Sequence, residues 1–350
     1  MWHQAFVILY FGLLSAVGGD GVSTASVQEW SGWGANYYNN RWASDNTAVS
    51  SSSITSLAPY CQLPDTIGVS ATPVVSGDAV FFPTWNGSFV ALDYITCQVL
   101  WRINVTDIIS GYAPITELQR NYSIPVSRTS PQLDNEVLYF GTITHALVIA
   151  VNRFTGRTLG ITQINPHPLA SVTMSPTLYN GILLVGASST EEDADALPGY
   201  TCCSFVGNFL ATTFHSSNGK FEVLWNVPMI PKIEAARGWS GAPVWGSQPS
   251  IDPSRGQVFI ATGNTYSIPE AIVECQDATK NITAVEEGLV PDPCLPRDIW
   301  QEAVLAIDIK FGIVNWVHQL SALDAYSEAC NTGNTAQCPE KVGPGVDVDL

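Results

Sequence analysis

One hairpin motif recurs along this chain and narrows its fold more than any other feature. Its form is A-x-D-x-x-T-G-x-x-x-W, clearest as ALDYITCQVLW from Ala91 to Trp101. It returns as AVNRFTGRTLG from Ala150 to Gly160, where glycine replaces the tryptophan, and with insertions as ATTFHSSNGKFEVLW from Ala211 to Trp225. The last copy is AIDIKFGIVNW, Ala306 to Trp316. Each reads as strand, tight turn, strand, because Asp and Thr-Gly are turn formers. Upstream of each copy lies a second beat: ATPVVSGDAVFFPT, TSPQLDNEVLYFGT, MSPTLYNGILLVGA and SQPSIDPSRGQVFIATG. Each gives a strand opened by a proline, a polar turn and a second apolar strand. The two beats predict four antiparallel strands per unit, with a period near sixty residues that Tyr266 to Trp300 stretches in the last unit. Tandem four-stranded units are the pattern of β-propeller blades, so the expected class is an all-β propeller. A sandwich would not explain one hairpin returning at this period.

Composition agrees with such a fold. Hydrophobic residues make up 46% and charged residues 13%, against a formal net charge of −17. That acidity excludes a nucleic-acid footprint and attraction to anionic membranes. Ala5 to Val17 is an apolar run of signal-peptide length, so residues 1–23 are expected to be a secretory signal and 24–350 the repeat domain. No later run is long enough for a membrane-spanning helix. The eight cysteines are Cys61, Cys97, Cys202, Cys203, Cys275, Cys294, Cys330 and Cys338. An even number in an exported chain points to disulfides, with local pairing plausible for Cys275 with Cys294 and Cys330 with Cys338. Cys202 and Cys203 are adjacent: either they close a vicinal ring at a functional loop, or each pairs elsewhere or stays free. Sequons at Asn86, Asn104, Asn121 and Asn281 fit a glycosylated secretory protein.

The stretch from Gly238 to Ser267 carries a Trp-Gly step before the apolar strand Gln257 to Thr262 and a Gly-Asn turn after it. Trp245 is expected on one strand and Asn264 at the end of the next. Two readings stand: a core tryptophan and a turn asparagine, or an aromatic face and an oxygen ligand for a hard cation.

The repeats resemble those of the pyrroloquinoline quinone (PQQ) dehydrogenases. So does WSGWGANYYNNRWA (Trp30 to Ala43), which is similar to that superfamily's W-x-x-x-G-x-x-x-x-N-x-R opening. The branch resembling polyvinyl-alcohol dehydrogenase matches at SATPVV, SRTSP, CC-x-F-x-G, VWGSQPSID, ATGNTYS and CPEKVGPGVDVDL. The resemblance implies an eight-bladed propeller with PQQ on its axis, of which four to five blades are present here, so the chain is expected to be incomplete at its C-terminus. It implies Trp245 beneath the quinone, Thr173 and Ser189 on the cofactor carboxylates, and Arg128 at the quinone system. A ring of Cys202 and Cys203 would cover the pocket. It further implies a Ca²⁺ held by Glu192 and Asn264, and an Asp general base at Asp347, with Asp349 the close alternative; Asp347 would also face the cation. The sequence departs from the pattern at Val69-Ser70, at Gly160 and at Val206.

The implied activity is oxidation of an alcohol or polyol, small or polymeric, by hydride transfer to Ca²⁺-bound PQQ and onward to an unidentified electron acceptor. Two rivals remain: a non-catalytic secreted propeller that has lost the cofactor and serves as a binding or scaffold module, and a glycan-binding propeller whose exposed Trp and Tyr stack on sugars.

Overall fold

The computed structural model describes residues 30–42, 49–64, 67–246, 248–278, 293–320, 323, 325–332 and 338–339. The expected signal segment, the sequon at Asn281, and Asp347 and Asp349 lie outside the described residues.

Four four-stranded antiparallel sheets follow one another, each an up-and-down meander. The first contains β1 (Val74–Ser76), β2 (Ala79–Pro83), β3 (Ser88–Asp93) and β4 (Gln98–Asn104). The second contains β5 (Gln132–Leu133), β6 (Val137–Gly141), β7 (Leu147–Asn152) and β8 (Thr158–Gln163). Short β9 (Ala170–Ser171) pairs with β11 in the third, which contains β10 (Thr177–Tyr179), β11 (Ile182–Ser189), β12 (Asn208–His215) and β13 (Lys220–Pro228). In the fourth, β14 (Ser240–Gly241) and β17 (Thr265–Ser267) form a side ribbon. Its main sheet is β15 (Ser250–Asp252), β16 (Gln257–Thr262), β18 (Ala303–Asp308) and β19 (Val314–Gln319). Among the described residues the helices lie outside the sheets: α1 (Val105–Tyr112), α2 (Glu117–Tyr122), α3 (Glu191–Ala194), α4 (Lys232–Ala235) and α5 (Glu270–Ala278) in connections, and α6 (Ala329–Thr332) after β19.

The sheets stack face to face, as blades do. Period-2 alternation sends Leu138 and Phe140 toward the first blade, against Phe81, Phe89 and Trp101. It sends Val137 and Tyr139 the other way, among Leu183, Val185 and Leu210 of the third. Leu184, Phe209 and Ala211 of the third then meet Val258, Ile260, Leu305 and Ile307 of the fourth. The chain is therefore an arc of a β-propeller, as the repeat predicts.

The hairpin motif has a physical reason at each letter. Its Asp or Asn folds the turn: Asp93 Oδ1 accepts from the amides of Ile95 and Thr96, Asn152 Oδ1 from Phe154 and Thr155, and Asp308 Oδ1 from Lys310 and Phe311. Its Gly takes the left-handed region, with φ of 72° at Gly156 and 68° at Gly312. Its Ala pairs across the strands with the Trp position, as in Ala91 with Trp101 and Ala306 with Trp316, and a register shift follows that Ala in every blade. The Trp reaches the next blade. Trp101 Nε1 donates to Arg153 O at 2.8 Å, and Trp225 Nε1 donates to Ile309 O at 2.8 Å. Each indole lies on the turn glycine of that next blade; a Cβ on Gly156 or Gly312 would fall 2.8 Å and 2.7 Å from it.

Gly160 departs from the motif because the next blade fills its place. A Cβ there would meet Gly219 O and stand 2.6 Å from Phe214. Phe214, Phe221 and Tyr139 form an aromatic group at this interface instead of an indole.

Candidate functional site

A meander puts alternate connections at opposite ends of each blade. One end holds short turns. The other holds the links β2–β3, β4–β5, β6–β7, β8–β10, β11–β12, β13–β15 and β16–β18, and all the long ones are there. Seven of the residues singled out from sequence fall at that end: Arg128, Thr173, Ser189, Glu192, Cys202 with Cys203, Trp245 and Asn264 (the cysteines forming one position).

Backbone hydrogen bonds draw the links of blades three and four together. Val244 N donates to Ala187 O at 2.9 Å, which brings Trp245 beside the end of β11. Ala242 N donates to Asn264 O at 2.8 Å, and Gly263 N donates to Pro243 O at 2.9 Å. Trp245 is half-buried and lies in the connection between β14 and β15, not on a strand as the sequence leads one to expect. The Pro243 ring removes an amide donor there, and the segment uses single cross-links rather than a ladder. Asn264 is buried, and its Nδ2 donates to Thr265 O and Tyr326 O. That arrangement turns its amide oxygen the other way, the atom a hard cation takes.

Thr173 Oγ1 and Ser188 Oγ lie 2.8 Å apart, both buried. Ser189 Oγ donates to Leu169 O and accepts from Glu191 N. Tyr266 OH donates to Ser189 O. Arg128 is exposed in the link between α2 and β5.

Sequence reasoning missed the residue on which the acidic link turns. Glu191, not its neighbour Glu192, is fully buried. Its carboxylate accepts from Tyr200 OH at 2.9 Å, from Ser204 N at 3.0 Å and from Phe205 N at 2.7 Å, and faces His167 Nε2 at 3.2 Å. Burial pushes this carboxyl up, but the His167 contact and the two amides outweigh it and hold the group below its ordinary value. His167 Nδ1 accepts from Leu169 N, so the ring proton sits on Nε2 and points to Glu191 and to Ser204 Oγ. That tautomer cannot take a proton from Ser204, so the Ser-His-Glu grouping is not a hydrolytic triad.

Cys202 and Cys203 are joined to each other, closing the vicinal ring. The other disulfides are Cys61–Cys97, Cys275–Cys294 and Cys330–Cys338, the last two as local pairing anticipates. Glu191 grips the chain on both sides of the ring, through Tyr200 before it and Ser204 and Phe205 after it. Cys202 also lines a cavity of about 280 Å³, with Tyr266, Ile268, Glu270, Val273 and Cys338.

A strap formed by residues 325–328 closes over the same loops. Ala325 bridges to Thr265, Tyr326 N donates to Thr265 O, Ser327 Oγ donates to Asp195 Oδ2 at 2.5 Å, and Glu328 N donates to Glu192 O. The strap thus ties the Glu192 backbone to the segment carrying Asn264. Burial, with Glu328 beside it, pushes the Tyr326 hydroxyl up to about 12. Nothing in the short motifs around residues 325–328 marks this role, because the contacts are largely to backbone. Among the described residues no helix is long and apolar enough to cross a membrane.

No protein-family model matches the chain. It is 27% identical over 333 residues to the polyvinylalcohol dehydrogenase of Pseudomonas sp, covering 92% of this chain and 45% of that protein. It is 26% identical over 341 residues to the polyvinylalcohol dehydrogenase of Sphingopyxis sp. (strain 113P3), covering 93% of this chain and 45% of that one. Among solved structures, the quinohemoprotein alcohol dehydrogenase from Comamonas testosteroni superposes with a TM-score of 0.60 at 18% identity, over 86% of this chain and 42% of the other. The chain therefore spans about half the length of the proteins it matches.

Proposed function

We infer from this kinship with the PQQ-dependent dehydrogenases that the chain contributes one half-ring of a secreted quinoprotein oxidising an alcohol or polyol. The observation that carries the reading is the gathering of Thr173, Ser189, Trp245 and Asn264 at the loop end of blades three and four. The donor types suit the group: an indole face for a flat electron-poor ring, hydroxyls at Thr173 and Ser189 that would turn from Ser188 Oγ and Leu169 O to its carboxylates, and the Asn264 amide oxygen with the Glu192 carboxylate for a hard cation such as Ca²⁺. Bound PQQ would supply the two-electron acceptor for the hydride leaving the alcohol carbon.

The chain's own residues do the rest. Trp245 would hold the cofactor plane, and Thr173, Ser189 and Arg128 would orient it. Asp347, with Asp349 as the alternative, would take the hydroxyl proton of the substrate as hydride departs. The ring of Cys202 and Cys203 would cover the pocket and limit water. Four disulfides among the described residues support an oxidising compartment.

Joined to the half-ring that would complete it, the purified protein loaded with PQQ and Ca²⁺ should reduce an artificial dye when given short alcohols or polyvinyl alcohol. Trp245→Ala should weaken PQQ binding at least tenfold in a fluorescence titration. Asp347→Ala should leave binding intact and cut turnover by two orders of magnitude or more. Protein that neither binds PQQ nor turns over would instead favour a propeller that keeps the repeat without the cofactor.

A further inference from the structure

The Cys202–Cys203 ring has a neighbour the quinoprotein reading does not use. Asp195 is fully buried, and its carboxyl reaches to within 4.8 Å of the sulfurs of both cysteines. One oxygen, Oδ2, accepts from Ser327 Oγ; the other, Oδ1, is buried with no hydrogen-bond partner. A buried carboxylate with an empty oxygen is costly, whereas a neutral carboxyl needs only a place for its proton. Burial and the nearby Glu191 charge keep Asp195 above the ordinary aspartate value, although the Ser327 hydrogen bond works against them.

The two sulfurs are not equivalent. Cys202 lines the cavity of about 280 Å³, while Cys203 packs against the apolar core between blades two and three. A small reagent in the cavity therefore meets Cys202, and Cys338 of the Cys330–Cys338 bridge lines the same cavity but has no buried carboxyl grouped with it among the described residues. The three other disulfides of the described chain join residues eight or more positions apart. Their half-cystines have no grouping with a buried carboxyl among the described residues.

We propose that Cys202–Cys203 is a redox-active couple, opened by small thiols entering through this cavity, and that Asp195 is the acid that serves it. In the first step a thiolate attacks Cys202 Sγ, the Cys202–Cys203 bond breaks, and its electron pair goes to Cys203 Sγ. Asp195 gives its proton to that departing sulfur and regains one from solvent. A second thiolate attacks the sulfur of the first thiol in the mixed disulfide and releases Cys202 as a thiol after protonation. Two thiols are oxidised to one disulfide, and one protein disulfide is reduced to a dithiol. The proposal does not depend on quinone chemistry, and its test needs no PQQ, metal ion or alcohol.

Folded protein would be titrated with glutathione and then with dithiothreitol, quenched with iodoacetamide at intervals, and its cysteines counted peptide by peptide by mass spectrometry. The expected result is that Cys202 and Cys203 become alkylated before the other six. Phenylarsine oxide, which bridges adjacent thiols, should then block their alkylation. Asp195→Asn should slow this opening about tenfold at a fixed thiolate concentration, with the other three bridges unchanged. A Cys202–Cys203 bond that opens no sooner than the others would overturn the proposal, and this wild-type measurement stands even should Asp195→Asn fold poorly. Unchanged opening in a folded Asp195→Asn protein would remove the acid role.

Discussion

Glu191 and Asp195 sit one turn apart in the acidic link, yet folding treats them in opposite ways. Glu191 is held charged by amide donors and His167, so its folded value lies below the unfolded one. Its contribution is present above about pH 4.5 and is lost as pH falls through the folded value. Burial, with the Glu191 charge beside it, raises Asp195, so its folded value lies above the unfolded one. Its contribution is complete below about pH 4 and is lost as pH rises through the folded value. Glu191→Gln should therefore cost about 3 kcal/mol near neutrality, because an amide turns a donor toward the Ser204 and Phe205 amides, and less at pH 4. Asp195→Asn should run the other way, its melting temperature gaining on the wild type between pH 4 and pH 8. Calorimetry across that range checks both; parallel pH trends for the two variants would contradict the assignment. From sequence the link EEDADA stands out only through Glu192, which the resemblance makes a cation ligand. Burial is what separates Glu191 from Glu192, and no periodicity in a four-residue helix reports it.

At the scale of the element, the hairpin motif was legible because each of its letters acts locally or on the adjacent blade. Asp folds the turn, Gly takes positive φ, and Trp closes the interface. Trp101→Phe should cost about 1 kcal/mol for the indole hydrogen bond, and Trp101→Ala about 3–5 kcal/mol for the emptied space. The glycine at position 160 looks like a lost interface when read as a string. In the fold it is a substitution of partners, with Phe214 and Phe221 entering from the third blade against Tyr139. Restoring the motif residue is thus expected to harm the protein: Gly160→Trp should destabilise it by about 3 kcal/mol or more, since a side chain would collide with the Gly219 backbone. Urea midpoints of the three variants measure this. A stabilised Gly160→Trp would mean that the turn yields. The position of Trp245 escaped for a related reason: strand character was read from its neighbours, while Pro243 and the cross-links to Ala187 and Asn264 hold it in a connection.

For the whole molecule, the blades make one side of every sheet the cover of the next. Blade four receives blade three on Val258, Ile260, Leu305 and Ile307. Its opposite side follows from the pairing of Phe259 with Ala306 and of Ala306 with Trp316, which places Phe259 and Trp316 together, rings 5.9 Å apart. In blade one the equivalent Trp101 is 8% exposed beneath its neighbour, whereas Trp316 is 43% exposed. A cavity of about 350 Å³ lined by Phe259, Ala261 and Val304 together with Asn39, Arg41 and Met174 opens at the edge of this sheet. Blade packing elsewhere in the chain shows what such a surface accepts: apolar side chains at strand spacing and a glycine turn under the indole. An apolar surface of this kind binds hydrophobic dyes. The 350-residue protein should therefore enhance anilinonaphthalene sulfonate fluorescence in its native state. Trp316→Ser with Phe259→Ser should remove more than half of that signal. The exposed Tyr60, whose hydroxyl donates to Ile95 O at blade one, serves as control, and Tyr60→Ser should leave the signal in place. Equal loss in the control would mean that the dye reads exposed aromatic rings one by one rather than the face of the fourth blade.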